Sequence, residues 1–439
     1  MNPSRTELRR QIEAELTQRR LEGCDVAAIE RVLARRGLSA AGLERLWPRL
    51  EGLKVRRGFG FQEPSALSAI RAQRPRRRRK AAKMARSRVI EDKVHGAWLG
   101  RAAGCLLGKP VEGRPREWIE RWLRQTDAFP LDDYFAYVES PPEEFSRFGR
   151  PSPVLRPFIH GMARDDDMDY PILGLDVLEG HGPAFTSEQV IDRWLLRLPY
   201  HCVYTAERVA YANRVAGLPV PQTATVRNPF REWIGAQIRA DVWGWVSPAR
   251  PQQAAELAFR DAQISHVKNG IYGEMFVAAM LAAAFVTDDV REIIGTGLGE
   301  IPQACRLRAA VDLCLKTYDR EDCWSDAWDA VMAEVGHYHG VHTINNACLV
   351  VLALLYGEGD FARTICLAVQ GGLDTDCNGA TAGSIAGVML GAAALPHKWT
   401  APLNDRLTSM VAGFHDSRIS NLAERTIAQQ RLVAARFEA

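Results

Sequence analysis

The chain has 439 residues, 47% apolar and 25% charged, with a formal net charge of +3. That is the make-up of a soluble globular protein, long enough for one large core and an accessory piece, and it excludes a disordered or fibrous chain. No run of about eighteen apolar residues is present to cross a bilayer as a helix. The first twenty residues lack the apolar core of a signal peptide, and the nine cysteines, an odd number without a CxxC pair, read as reduced thiols. Both features point to a cytoplasmic protein without a membrane partner.

Charge is unevenly placed. Residues 1–90 carry 23 Lys and Arg against 9 Asp and Glu, roughly +14, and the remainder carries 33 against 44, roughly −11. A basic arm on an acidic body reads either as a nucleic-acid contact or as a segment solvated beside, or clamped on, that body. The second reading is preferred, because charge reports solubility and attraction more than function.

In chain order, Ser4 with Glu7 predicts a capping box, and Leu8, Ile12 and Leu16 follow at helical spacing. A second helix is predicted over 27–36, with Ile29, Val32 and Leu33 inward and Gly37 as its stop. A third carries Leu43, Leu46, Trp47 and Leu50. These make a small helical module over 1–70. Residues 71–88, with five basic residues in a row from Arg76 to Lys80, read as a basic linker. The composition shift near Val89 predicts a module separable from the body at 89–439, so that a chain beginning near Arg86 folds alone.

Beyond Val89 the segments 274–286, 346–356 and 379–394 are apolar nearly all round, as in helices at the middle of a bundle. Gly379, Gly383, Gly387 and Gly391 recur every four positions, a face that admits a second backbone. No alternating β-branched run predicts a sheet, so the body is all-α. Residues 130–165 are rich in proline and acid and read as a long irregular segment of the kind that folds over a site.

Two acidic loops carry the chemistry. In the first, Asp169 reads as a helix N-cap with Pro171 in the first turn, leaving Asp165, Asp166 and Asp167 just outside the helix. In the second, Gly371 to Gly379 holds Asp374 and Asp376 between two apolar helices, where unpaired carboxylates are costly and demand a cation. Oxygen ligands of this kind suit Mg²⁺ or Mn²⁺, one or two ions. His337, His339 and His342 lack the spacing and thiolate partners of a zinc site. Trp243, Trp245 and Tyr272 read as core packing before base stacking.

With these motifs in place, the chain resembles the ADP-ribosylglycohydrolase family. Asp166-Asp167 and Asp374/Asp376 match its two metal motifs, which hold a pair of Mg²⁺ ions. Gly96 to Gly100, then Gly104 to Glu112, match its opening helix and glutamate. Gly235-Ala236-Gln237-Ile238-Arg239 resembles the substrate loop, and Ser265-His266 with Asn269 to Gly273 the motif after it. The likeness spans about 90–400, and the amino-terminal module is similar to one found ahead of this domain in longer bacterial members. Cys377, Asp165 and Met168 stand where threonines are usual, and Cys105 where an Asp is common.

The resemblance implies an all-α orthogonal helical bundle with Glu112 and Asp167 catalytic. Asp165, Asp166, Asp167, Asp374 and Asp376 would bind metal; Gly235, Arg239, His266, Asn269, Gly270 and Tyr272 would bind substrate. Cleavage of a ribosyl bond runs through an oxocarbenium-like state served by an acid or base beside a water, and a divalent ion fixes ribose hydroxyls. The expected partner is a ribose-containing small molecule or an ADP-ribosylated macromolecule. An N-glycosidase on a free nucleoside or nucleotide is the first alternative; a non-catalytic ADP-ribose-binding protein is the second, disfavoured by the retained acids.

Overall fold

The computed structural model describes residues 4–35, 37–75 and 87–438. The arginine run of the expected linker, 76–80, lies outside them. With 64% of the chain helical and, among the described residues, two short strands, the all-α expectation is met. The strands, β1 (Arg406–Thr408) and β2 (Asp416–Arg418), pair antiparallel as one small hairpin.

Four amino-terminal helices, α1 (Arg5–Leu21), α2 (Ala27–Leu33), α3 (Ala40–Glu44) and α4 (Trp47–Glu51), enclose a core of their own. Leu8, Ile12, Leu16, Ile29, Leu33, Leu43, Leu46, Trp47 and Leu50 form it, as their spacing predicts. Ser4 caps α1, its Oγ accepting from Glu7 N at 3.2 Å. The box is only half made: the Glu7 carboxylate turns to Gln11 Nε2 at 3.4 Å. The chain continues into α5 (Leu67–Gln73), whose Ile70 belongs to the main core. Residues 71–73, expected as linker, are thus the end of a helix packed on the body.

The body is organised around one helix pair. α6 (Ser87–Gly108) and the later α10 (Thr375–Leu390) run antiparallel with their backbones in contact. A Cβ at Gly100 would lie 2.1 Å from Gly383 O, and one at Gly104 only 1.9 Å from Gly379 O. Gly96 meets Gly387 in the same way, and Gly108 meets Thr375. The predicted glycine face therefore exists, and its partner is a second four-residue glycine repeat in α6. Gly391 ends α10 at φ 80° and still abuts α6: a Cβ at Gly96 would lie 2.7 Å from the Gly391 carbonyl carbon, and one at Gly391 2.1 Å from Asp92 Oδ2.

Around this pair stand α7 (Asp166–His181), α8 (Lys268–Ala284), α9 (Thr343–Gly357) and α11 (Ile419–Glu438). α8 and α9 are buried almost end to end, as expected for apolar segments without a polar face. Trp243 and Trp245 are fully buried against Phe185 and Trp98. Between 126 and 165 the chain is largely irregular, with one 3-10 segment, Glu143–Gly149. Among the described residues no helix is long and apolar enough to cross a membrane.

Candidate metal centre

The glycine contact decides where the acids meet. Because α6 and α10 are antiparallel, the end of α6 lies against the start of α10, and Thr375 Oγ1 donates to Gly108 O at 2.8 Å. A short turn, Lys109–Val111, then carries Glu112 toward Asp374 and Asp376. The second loop is bent to suit, with Gly372 at φ 74° and Leu373 at φ 62°. A Cβ at Gly372 would lie 2.8 Å from Arg114 O, so a side chain there would collide with the strand of chain leaving Glu112. Asn346 from α9 completes the loop: its Oδ1 accepts from Asp374 N at 3.2 Å and Asn378 Nδ2 at 2.8 Å.

The first loop differs from its expectation. Asp165, not Asp169, is the N-cap, accepting from Asp167 N at 3.0 Å. Asp166 and Asp167 are therefore inside the first turn of α7. Asp169 is buried among partners of its own: Arg164 Nε at 3.0 Å, Ser409 Oγ at 2.7 Å and Met410 N at 2.9 Å. Pro171 sits within the helix rather than at its opening turn, and lacks the N–H that the Asp167 carbonyl would accept. Arg101 supplies the replacement, Nε to Asp167 O at 2.8 Å.

The two loops converge. One ligand-type atom each from Glu112, Asp374 and Asp376 lies within 4.8 Å of the others, and the same holds for Asp167, Asp376 and Cys377 and for Cys105, Asp165 and Asp167. Asp166, half-buried on the same turn, stands outside these groups. Two cations anchor the first loop from α6 and its end: Arg101 to Asp167 and Asp241, and Lys109 to Asp165. Neither was singled out in the sequence, although both lie in the opening-helix segment.

Burial, with the neighbouring acids adding to it, raises the pKa values of Asp167, Asp374 and Asp376 above the usual carboxylate range, Asp374 to about 7. Glu112 is exposed as a residue, but its carboxyl turns inward and shifts upward through partial burial and then Asp165. Burial likewise raises the thiols of Cys105 and Cys377. The residues fit a divalent cation on a structural ground: Asp376 Oδ1 is buried and has no hydrogen-bond partner, while carboxylates from three chain segments face it. Asp167, Asp374, Asp376 and Glu112 are the oxygen donors such an ion would meet.

The expected substrate residues occupy a second buried polar network. Arg239 pairs with Glu207 at 2.6 Å and Asp261 at 3.0 Å, its Nη1 also donating to Gly235 O. His266 Nδ1 lies 2.8 Å from Ser265 Oγ, and Gly270 packs against its ring. Asn269 donates to Glu232 and Glu63, and the Tyr272 hydroxyl donates to Pro64 O. The residues at 63–64 thus cover two of these groups from the amino-terminal side. The three histidines do other work. His342 Nδ1 caps α9 by accepting from Ile344 N at 3.2 Å, His339 stacks on Trp233, and His337 packs on Tyr338.

A cavity of about 330 Å³ opens beside Glu112, lined also by Lys109, Arg147, Phe148 and Ser152 among others. A larger one, about 560 Å³, is lined by Arg116, Arg124, Trp324 and Arg363 and contains none of the clustered acids.

Comparison with known proteins agrees with this architecture. A chain described as "ADP-ribosylglycohydrolase-related protein complex" superposes with a TM-score of 0.51 at 18% identity, over 79% of this chain and 99% of that one, a likeness of fold. No curated protein matches the chain. Residues 86–435 match the family model for ADP-ribosylglycohydrolase, and with that extent of agreement the chain belongs to the ADP-ribosylglycohydrolase family.

Proposed function

We propose that this protein is a divalent-metal-dependent glycohydrolase that cleaves a ribosyl bond of an ADP-ribosylated substrate or an ADP-ribose derivative. The observation that carries the reading is the meeting of Glu112, Asp374 and Asp376 within 4.8 Å, joined through Asp376 to Asp167. Glu112 and the loop of Asp374 and Asp376, far apart in sequence, are brought together by the glycine contact of α6 and α10, and Arg101 of α6 holds Asp167 beside them.

Each residue contributes in its own way. Arg101 fixes both the carbonyl and the carboxylate of Asp167, so that acid cannot swing away. Lys109 holds Asp165 and leaves Asp167 and Asp376 to face inward. Glu112, at the cavity and raised in pKa, is placed to hold or accept a proton beside the ribosyl bond, the role an oxocarbenium-like cleavage requires. A bound Mg²⁺ or Mn²⁺ supplies positive charge that offsets the acids and orients ribose hydroxyls. Arg239, His266, Asn269 and Tyr272 would serve by holding the fold around the site, since their side chains are already engaged within the protein, and Gly270 by its close packing on His266.

The test is release of ADP-ribose from ADP-ribosylated peptides, followed by chromatography with Mg²⁺, with Mn²⁺ and with chelator. Asp376→Ala should lose both metal binding by calorimetry and release, while its circular dichroism stays that of the wild type. Equal metal affinity in the wild type and the variant would refute the assignment.

A further inference from the structure

The metal centre holds two donor sets that differ in kind. Glu112, Asp374 and Asp376 offer oxygen alone, whereas Asp167, Asp376 and Cys377 bring a sulfur beside two carboxylates, the ligand-type atoms of each set lying within 4.8 Å of one another. Asp376 belongs to both sets, so two ions placed there would share it. The proposed function uses both acids of the second set and leaves Cys377 without a part.

The fold fixes that sulfur in place. Cys377 is the third residue of α10, after the N-cap Asp374 and two positions before Gly379, which the contact with Gly104 pins. It is a free thiol, buried like Asp167 and Asp376. Arg101 engages Oδ1 of the Asp167 carboxylate, which leaves the other oxygen for an ion. Asp376, 4% exposed, has its Oδ1 buried without a hydrogen-bond partner. Cys105 also lies near two acids, Asp165 and Asp167, but Lys109 already supplies a cation to Asp165 there.

Two carboxylates and a sulfur make three protein ligands, and separations up to 4.8 Å suit pairs of bonds of about 2.0–2.3 Å to one ion. Three ligands leave a further position for water or substrate, the arrangement of a catalytic rather than a structural zinc. Sulfur is a soft donor that favours Zn²⁺ and Co²⁺, while Mg²⁺ takes oxygen.

We infer that Cys377 is a metal ligand and that the centre is mixed, with a thiophilic divalent ion of the Zn²⁺ type at Asp167, Asp376 and Cys377 beside Mg²⁺ or Mn²⁺ at Glu112, Asp374 and Asp376. The inference deepens the proposed function and rests on its placing metal at Asp376. As the thiophilic ion binds, the thiol gives its proton to solvent and the sulfur bonds as thiolate.

Co²⁺ titration of the full-length protein, first freed of metal by chelator, tests this. A thiolate on Co²⁺ gives an intense near-ultraviolet charge-transfer band that oxygen ligands do not give. The wild type should develop the band and saturate near about one Co²⁺ per chain. About one equivalent of Zn²⁺ should abolish it, and Mg²⁺ in about hundredfold excess should leave it. Cys377→Thr should lack the band and bind Zn²⁺ at least about tenfold more weakly by calorimetry, while Mn²⁺ still binds as the sign of an intact loop. Cys105→Ser should keep the band, and Cys377→Ser serves if the threonine variant does not fold. A wild type without the band, a band that survives loss of Cys377, or a band lost with Cys105 overturns the inference. If the band follows Cys377 but no ADP-ribosylated peptide is cleaved, the sulfur ligand stands and the proposed function falls.

Discussion

Arg101 bonds Asp167 twice, from Nε to the carbonyl at 2.8 Å and from Nη2 to the carboxylate at 3.0 Å. The first bond is needed because Pro171, four residues on, has no N–H to offer that carbonyl. The second holds an acid that burial disfavours as an anion. One side chain therefore repairs a helix and aims a carboxylate.

Replacing Arg101 by Met keeps the volume and removes both bonds. It leaves Asp241 and Asp167 buried without their cation, which costs about 3–5 kcal/mol when one partner of such a pair is lost. Urea unfolding of Arg101→Met should show a loss of that size, and Mn²⁺ titration should show weaker binding. A variant as stable as the wild type would mean that the acids are protonated and need no partner.

The glycine contact makes a sharper claim. Gly104→Ala puts a methyl 1.9 Å from Gly379 O, where only backbone can yield, so it should cost about 1–3 kcal/mol or more. It should also pull Glu112 from Asp376 and lower metal affinity. Gly340→Ala is the control, with nothing within 4 Å of the added methyl. Equal midpoints for the two variants would contradict the packing of α6 on α10.

His342 supplies a pH dependence away from the acids. Burial pushes its pKa from 6.5 down to about 3, and the neutral ring is what accepts Ile344 N at the start of α9. The unfolded chain takes up the proton below pH 6.5 and the folded chain does not, so stability from this residue is full above 6.5 and drains as pH falls toward 3. The slope reaches at most about 1.4 kcal/mol per pH unit. His342→Asn keeps an acceptor at the cap without titrating. Its urea midpoints should fall less steeply than those of the wild type between pH 7 and 5; parallel curves would exclude the assignment.

Removal of the first 85 residues is expected to be damaging, against the separability that composition implies. The basic arm meets the acidic body in the expected sense between Arg71 and Glu256 and between Arg74 and Glu300, and elsewhere through charges of the opposite sense. Glu15 and Glu22 of the arm pair with Arg231, and Glu63 pairs with Arg306, all buried. Gln18 Nε2 donates to Glu232 at 2.6 Å, and the Tyr272 hydroxyl loses Pro64 O if the arm is cut away. A chain starting at Arg86 should be insoluble or unfold well below the full-length protein in thermal scanning. A truncated chain with the full-length midpoint and metal affinity would show the arm to be an appendage.

Sequence alone determined the helical class, the three buried helices and both acidic loops, because each is written in local terms: apolar periodicity, and acids beside glycines. It also determined one face of the glycine contact, Gly379, Gly383 and Gly387. Tertiary structure decided the rest. The pairing with Gly96, Gly100 and Gly104 is a match between segments far apart in sequence, and neither repeat names its partner. The N-cap at Asp165 was hidden because Pro171 is tolerated deep in the helix only with Arg101 beside it, a contact from another element. The role of the arm was hidden for a related reason: net charge sums over a segment, whereas burial selects individual pairs, and several of those pairs, Glu15 and Glu22 with Arg231 and Glu63 with Arg306, run against the sum.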